Sequence, residues 1–175
     1  SMTGFGTVVT GTVISGGLKK GDSVDVVPEN ISAKVRGIQS HGADVESVKR
    51  GDRAAVNLSG VEAEKVFRGS ELAAPGRLKA VSKFTAHIQL TADMKKEMKH
   101  RQRVRVHLGT AEVMARVYLT SNKKMSAGSS GNVIIELERP AVMASEDRFV
   151  MRTYSPMTTM GGGMVLTTFI PKGVK

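Results

Sequence analysis

Cysteine and tryptophan are absent from the 175 residues, so neither a disulfide framework nor a thiolate metal site can be built. Their absence fits a cytoplasmic setting. The four histidines, His41, His87, His100 and His107, have no H-x-x-x-H spacing, so no metal centre is expected. No apolar run is long enough to span a membrane and no secretory signal pattern is present; a soluble protein with no membrane partner is expected. Catalytic patterns are missing too. There is no G-x-x-x-x-G-K-[ST] phosphate loop and no G-x-S-x-G elbow, and no carboxylates are paired on a recognisable frame. Gly4-Phe5-Gly6 opens a β-hairpin pattern rather than a strand-then-helix unit, so it is no dinucleotide fingerprint. The remaining expectation is a binding module without enzymatic activity of its own.

What is present is β-structure. From Gly4 to Val27 the sequence reads as strand, turn, strand: a β-branched run over Thr7 to Ile14, a Ser15-Gly16-Gly17 break, then Leu18 to Asp22 turning into Val24 and Val26. Ile31, Ala33 and Val35 alternate with Ser32, Lys34 and Arg36 in a strand ending near His41. Asp44 to Lys49 reads as loop, Arg53 to Leu58 as strand, Glu62 to Phe67 as a helical turn and Glu71 to Ala73 as strand. Ala74-Pro75-Gly76 interrupts the pattern and marks a boundary between units 1–76 and 77–170, with 171–175 beginning a linker.

Beyond it the alternation is cleaner. Phe84, Ala86, Ile88 and Leu90 share one face; Val104, Val106 and Leu108 repeat the pattern, as do Val113, Ala115, Val117 and Leu119. Lys83, Arg103, Arg105, Arg116 and Tyr118 then point the other way. Asp93 to Arg101 is a charged connection, Asn122 to Gly131 a polar loop, and Val133 to Leu137 and Arg148 to Met151 are strands. A last strand is expected near Met164 to Phe169, after Gly161-Gly162-Gly163, whose glycines suit packing or a bulge. The ten methionines, Met94, Met98, Met114 and Met125 among them, suit core gaps. Short strands with glycine-rich turns and no long helix imply an all-β pair of barrels or sandwiches.

The net charge of +10 is unevenly held. Residues 1–76 carry nine basic and nine acidic side chains, whereas residues 77–175 carry seventeen and seven. A neutral module joined to a basic one points to a polyanion, nucleic acid above all, meeting the second half.

The pattern G-x-G-T-V-V-T-G-x-V…G-x-L-K-x-G-D-x-V resembles the second domain of translational GTPases such as elongation factor Tu. Two further segments, Gly51 to Val61 with Arg68-Gly69, and Arg148 to Pro156 leading to Thr158 to Gly163, resemble the selenocysteine-specific elongation factors of the SelB type. The resemblance implies two consecutive β-barrels, as in domains II and III of that family, and an excised piece of a longer factor. It implies that GTP and Mg are bound by a preceding G domain, and that winged-helix modules recognising messenger RNA follow. It also implies partnership with selenocysteinyl-tRNA and the ribosome. The first barrel would grip the aminoacyl end and the second the acceptor and T arms. In the first barrel the resemblance directs attention to Arg53, with Thr10 and His41, as the aminoacyl pocket; a surface arginine paired with Asp52 or Glu46 is the alternative. Lys83, Arg103, Arg105, Arg116, Lys123 and Lys124 are the expected phosphate contacts. Two other readings stay open: the barrel pair of a relative such as the large subunit of sulfate adenylyltransferase, and a general RNA-binding β-module.

Overall fold

The computed structural model describes residues 6–121 and 123–169, and the chain divides into two compact units between Lys79 and Ala80. Gly4, Phe5 and the linker expected over 171–175 lie outside the described residues. Ala74 to Gly76 are tied to the first unit: the Gly76 N–H donates to the Asp25 carboxylate at 2.8 Å, and the Arg77 N–H to the Ala74 carbonyl at 3.1 Å.

The first unit contains β1 (Thr7–Thr12), β2 (Gly17–Lys19), β3 (Ser23–Val27), β4 (Ile31–Ser40), β5 (Ala43–Val45), β6 (Ser47–Lys49), β7 (Arg53–Ser59) and β8 (Glu71–Ala73), with one 3-10 turn at Ala63–Lys65. The main sheet has the order β1-β7-β4-β3-β8, with β5 on β4 and a separate β2–β6 ribbon. Alternation decides the faces: Ala54, Val56 and Leu58 of β7 are buried with Val24, Val26, Ala33, Val35, Ile38 and Val48 in one core. Arg53, Ala55 and Asn57 face outward.

Two expectations are corrected here. The opening strands do not form a local hairpin. Instead β1 pairs with β7, Val13 and Gly16 bond to residues 50–52, and β2 pairs with β6, so residues 7–20 run antiparallel along 46–58. The two apolar stretches share a long-range partner because that register buries both; the Ser15-Gly16-Gly17 break is an interruption along the ribbon, not its turn. Likewise Asp44 to Lys49, read as loop for its polarity, supplies β5 and β6. These short strands pair at their backbones; only Val48 is fully buried, and Val45 packs partly buried against the same core.

The second unit contains β9 (Ala80–Leu90), β10 (Met98–Lys99), β11 (Gln102–Leu108), β12 (Ala111–Leu119), β13 (Lys124–Met125), β14 (Ser130–Val142), β15 (Arg148–Arg152) and β16 (Thr159–Thr167). Six of them close a barrel in the order β11-β12-β14-β9-β16-β15. Phe84, Ala86, Ile88, Leu90, Val104, Val106, Ala115, Val117 and Ile135 fill it, as their spacing predicts. Phe84 meets Phe149 edge to face, with centroids 5.7 Å apart.

Here too the polar stretches hide strands: β10 and β13 pair inside the expected charged connection and polar loop. β14 runs past Val133 to Leu137 and through Pro140, with its register shifting between Glu136 and Ala141. The three glycines lie within the last strand rather than before it, and that strand ends at Thr167. A Cβ at Gly163 would stand 2.6 Å from the His87 carbonyl oxygen and 2.7 Å from Phe149 Cζ, so β16 can cross β9 and β15 only where side chains are missing.

One turn recurs four times. In Lys19–Asp22 and Lys49–Asp52 the last carboxylate accepts the first residue's N–H, at 2.8 and 2.9 Å, and the third position is glycine at φ +91 and +95°. Lys99–Gln102 and Ala144–Asp147 repeat the bond at 2.9 and 2.8 Å with Arg101 and Glu146 in the left-handed position.

Candidate functional site

Arg53 opens β7 on the outward face of the first unit. It stands opposite Thr12, while Thr10 stands opposite Ala55 one step along the same face. On the other side of β7, Gln39 pairs with Ala55 and Ser40 with Ala54, and the Ser40 hydroxyl donates to the Arg53 carbonyl at 2.9 Å. His41 follows Ser40 in a two-residue turn with Gly42, both at positive φ (52 and 80°), which joins β4 to β5. Thr10 and Arg53 are thus exposed on the neighbouring strands β1 and β7, and His41 in the turn after β4, the strand on the other side of β7.

The carboxylates that might have neutralised Arg53 are engaged elsewhere. Asp52 accepts the Lys49 N–H at 2.9 Å, and Glu46 lies 3.8 Å from Lys20 Nζ. Among the described residues the Arg53 guanidinium has no ion pair and no hydrogen bond. It is a solvent-facing cation fixed only through its backbone.

The outer surface of the barrel carries the six expected phosphate contacts, but the structure divides them. Arg103 is held by Glu138 in a two-pronged pair, Nε to Oε1 and Nη2 to Oε2, both 2.7 Å, and its guanidinium lies 5.0 Å from the Tyr154 ring centre. That pair raises the Arg103 pKa and lowers that of Glu138, each chiefly through the shared hydrogen bonds. Arg105 pairs with Glu112, which also lies 3.8 Å from His107 Nδ1. Lys124 pairs with Glu97 at 3.2 Å. Lys83, Arg116 and Lys123 have no ion pair among the described residues. Arg103, Arg116, Glu136 and Lys83 fall in one row across β11, β12, β14 and β9.

Sequence reasoning missed the aromatic part of this surface. Lys83 Nζ and Arg101 Cζ lie 5.7 and 6.0 Å from the centre of the Tyr118 ring, and the His100 ring meets it edge-on at 5.7 Å. Hydrogen bonding to Glu136 is the main cause holding the Tyr118 phenol above its ordinary pKa, with burial second. The available signal was Tyr118 standing at an outward position of β12, two residues from the outward Arg116. The carboxylates and histidines among the described residues form no group of three or more able to hold a metal ion. No helix among them is long and apolar enough to cross a membrane.

Comparison with known proteins matches both units. Residues 6–73 fit the family described as elongation factor Tu domain 2, and residues 85–172 fit the β-barrel domain of selenocysteine-specific elongation factor. The two β-units are therefore those of a translation elongation factor. The chain belongs to the selenocysteine-specific elongation factor family. It is 35% identical over 166 residues to the selenocysteine-specific elongation factor of Desulfomicrobium baculatum, covering 95% of this chain and 26% of that one. It is 32% identical to that of Methanocaldococcus jannaschii, covering 90% of this chain and 36% of that one. The crystal structure of translation elongation factor SelB from Methanococcus maripaludis, in its apo form, superimposes with a TM-score of 0.78 at 28% identity, over 97% of this chain and 41% of that chain. The chain thus spans about a quarter to two-fifths of the length of these relatives.

Proposed function

We propose that the two units bind selenocysteinyl-tRNA for delivery to the ribosome in the cytoplasm, the first unit taking the aminoacyl end and the second the acceptor and T arms. GTP, its Mg and the hydrolytic chemistry are assigned to a G domain outside this chain, and messenger RNA recognition to further modules. The observation that carries the reading is the exposed Arg53 guanidinium, without a carboxylate partner among the described residues, on the face shared with Thr10, with His41 exposed in the turn that follows β4.

A selenol is more acidic than a thiol, whose reference pKa is roughly 8.5, so selenocysteine is an anion at neutral pH where serine is not. A charge-assisted contact from Arg53 would be worth about 1.5–3 kcal/mol, or about one to two decades of discrimination. The excess of basic residues in the second unit supports the other half of the reading, because phosphate contacts position an RNA without reading its sequence. The test is hydrolysis of the aminoacyl ester in the presence of the full-length GTP-bound factor. Selenocysteinyl-tRNA should be protected and seryl-tRNA on the same tRNA body much less so; equal protection of both contradicts the reading.

A further inference from the structure

The basic surface of the barrel is less available than its residue count suggests. Arg103, Arg105 and Lys124 are each occupied by a carboxylate, Glu138, Glu112 and Glu97 respectively. Three cations without an ion pair among the described residues, Lys83, Arg101 and Arg116, lie where the turn between β10 and β11 meets the outward faces of β12 and β9. There Arg101 and Lys83 lie against the Tyr118 ring, His100 meets its edge, and Arg116 stands opposite Glu136. Glu136 is the carboxylate of that neighbourhood, and it is turned to the Tyr118 hydroxyl.

Arg101 is the residue that singles this end out. Its φ of +63° is a conformation that L side chains rarely adopt, and the matching turns at Gly21 and Gly51 use glycine there. Glu146 holds the same place in the fourth turn, so the geometry tolerates a side chain at some cost. What distinguishes Arg101 is where its side chain goes: over an aromatic ring that also receives a lysine. A strained backbone position that delivers a cation to a shared platform is the pattern of a binding residue.

We propose that Lys83, His100 and Arg101, arrayed around Tyr118, form a site that grips one phosphodiester of an RNA backbone and is an electrostatic anchor of the second unit. The inference rests on the tRNA-binding reading above and adds to it the residues that carry the contact. Tyr118 acts as a positioning residue: each of the two long cationic side chains rests against its ring, which lowers the ordering cost each would bear on binding alone. An RNA backbone suits the site better than a protein carboxylate. Glu97, Glu112 and Glu138 already take Lys124, Arg105 and Arg103, whereas Lys83 and Arg101 have no ion pair among the described residues, leaving charge of the kind that a string of phosphates neutralises.

Arg101→Gly separates function from folding, because glycine relieves the left-handed strain while removing the cation. The experiment is fluorescence anisotropy of the 175-residue chain with an unacylated selenocysteine-tRNA transcript over a KCl series, comparing wild type, Arg101→Gly, Tyr118→Leu and, as a charge control on the first unit, Lys34→Gln. Arg101→Gly should melt no lower than wild type, bind the transcript about fivefold more weakly at low salt, and show a salt slope shallower by about 0.7–0.9. Tyr118→Leu should weaken binding in the same direction and Lys34→Gln should not. If wild type binds and Arg101→Gly keeps the same affinity and slope, the inference is overturned while the tRNA-binding reading stands. If wild type binds no RNA at any salt concentration, the inference falls, while the tRNA-binding reading is judged by ester protection in the full-length GTP-bound factor.

Discussion

The Ser40 hydroxyl donates to the main-chain carbonyl of Arg53 at 2.9 Å, joining the end of β4 to the start of β7. The bond fixes the backbone from which the exposed guanidinium projects, since no side-chain partner among the described residues does so. Ser40→Ala should therefore cost about 0.5–1.5 kcal/mol of stability, the ordinary net worth of one such bond, read as a lower denaturant midpoint at unchanged m-value. It should also blunt, without abolishing, the preference for a selenocysteinyl over a seryl ester.

Gly163 is held to glycine by its neighbours. A methyl group there would stand 2.6 Å from the His87 carbonyl oxygen and 2.9 Å from Ile88 Cγ2, and backbone cannot step aside as a flexible side chain can. Gly163→Ala should destabilise the barrel by about 1–3 kcal/mol, measured by chemical denaturation, with the first unit's core unaffected. Wild-type stability in this variant would contradict the close crossing of β16 over β9.

The chain has two tyrosines and no tryptophan, so phenolate absorbance reports on few groups. In a Tyr154→Phe background the remaining phenol, Tyr118, should titrate above its ordinary value of about 10, because hydrogen bonding to Glu136 and burial favour the neutral form. Glu136→Gln should bring the midpoint down, leaving the nearby Arg101 charge to favour the phenolate. A midpoint that ignores Glu136 would contradict the pairing.

Glu138 has its folded pKa depressed by Arg103, so its contribution to stability is present above the unfolded carboxylate value of about 4.3 and is lost as pH falls through the folded value. Glu138→Gln should remove that part of the acid sensitivity below about pH 4.3. It should also free Arg103, steepening the salt dependence of tRNA binding by about 0.7–0.9, one additional phosphate contact. An unchanged slope would mean that Arg103 does not reach the RNA even when released.

The strands that bury one face were legible before any coordinates. Phe84, Ala86, Ile88 and Leu90 alternate so strictly that only one face of β9 can enter a core, and all four do. Strands that bury little were not legible: β5, β6, β10 and β13 are two or three residues long and form through backbone pairing, β5 with its neighbour β4 and the others with more distant partners, which leaves hardly any trace in side-chain pattern. The partner of β1 was misread for a related reason. A glycine break marks where a strand stops, but not whether the chain folds back there or continues along a third strand. At the candidate site, Arg53, Thr10 and His41 were named from family resemblance, and Arg53 and Thr10 share a face; periodicity alone offered no means of choosing Arg53. The six cations of the second unit could be counted from sequence, yet which of them Glu97, Glu112 and Glu138 neutralise depends on cross-strand geometry. Tyr118 escaped because its significance lies in the company of Lys83, His100 and Arg101, brought to it from two other segments.

The most direct test of the central claim compares wild type and Arg53→Asn in the full-length GTP-bound factor, following ester hydrolysis in selenocysteinyl-tRNA and in the same tRNA carrying serine. The account predicts that wild type protects the selenocysteine ester in preference to serine, and that Arg53→Asn loses about one to two decades of that preference while still binding the tRNA body. A wild type that discriminates, with an Arg53→Asn variant that discriminates equally well, would contradict the assignment of Arg53 as the selenolate-recognising residue.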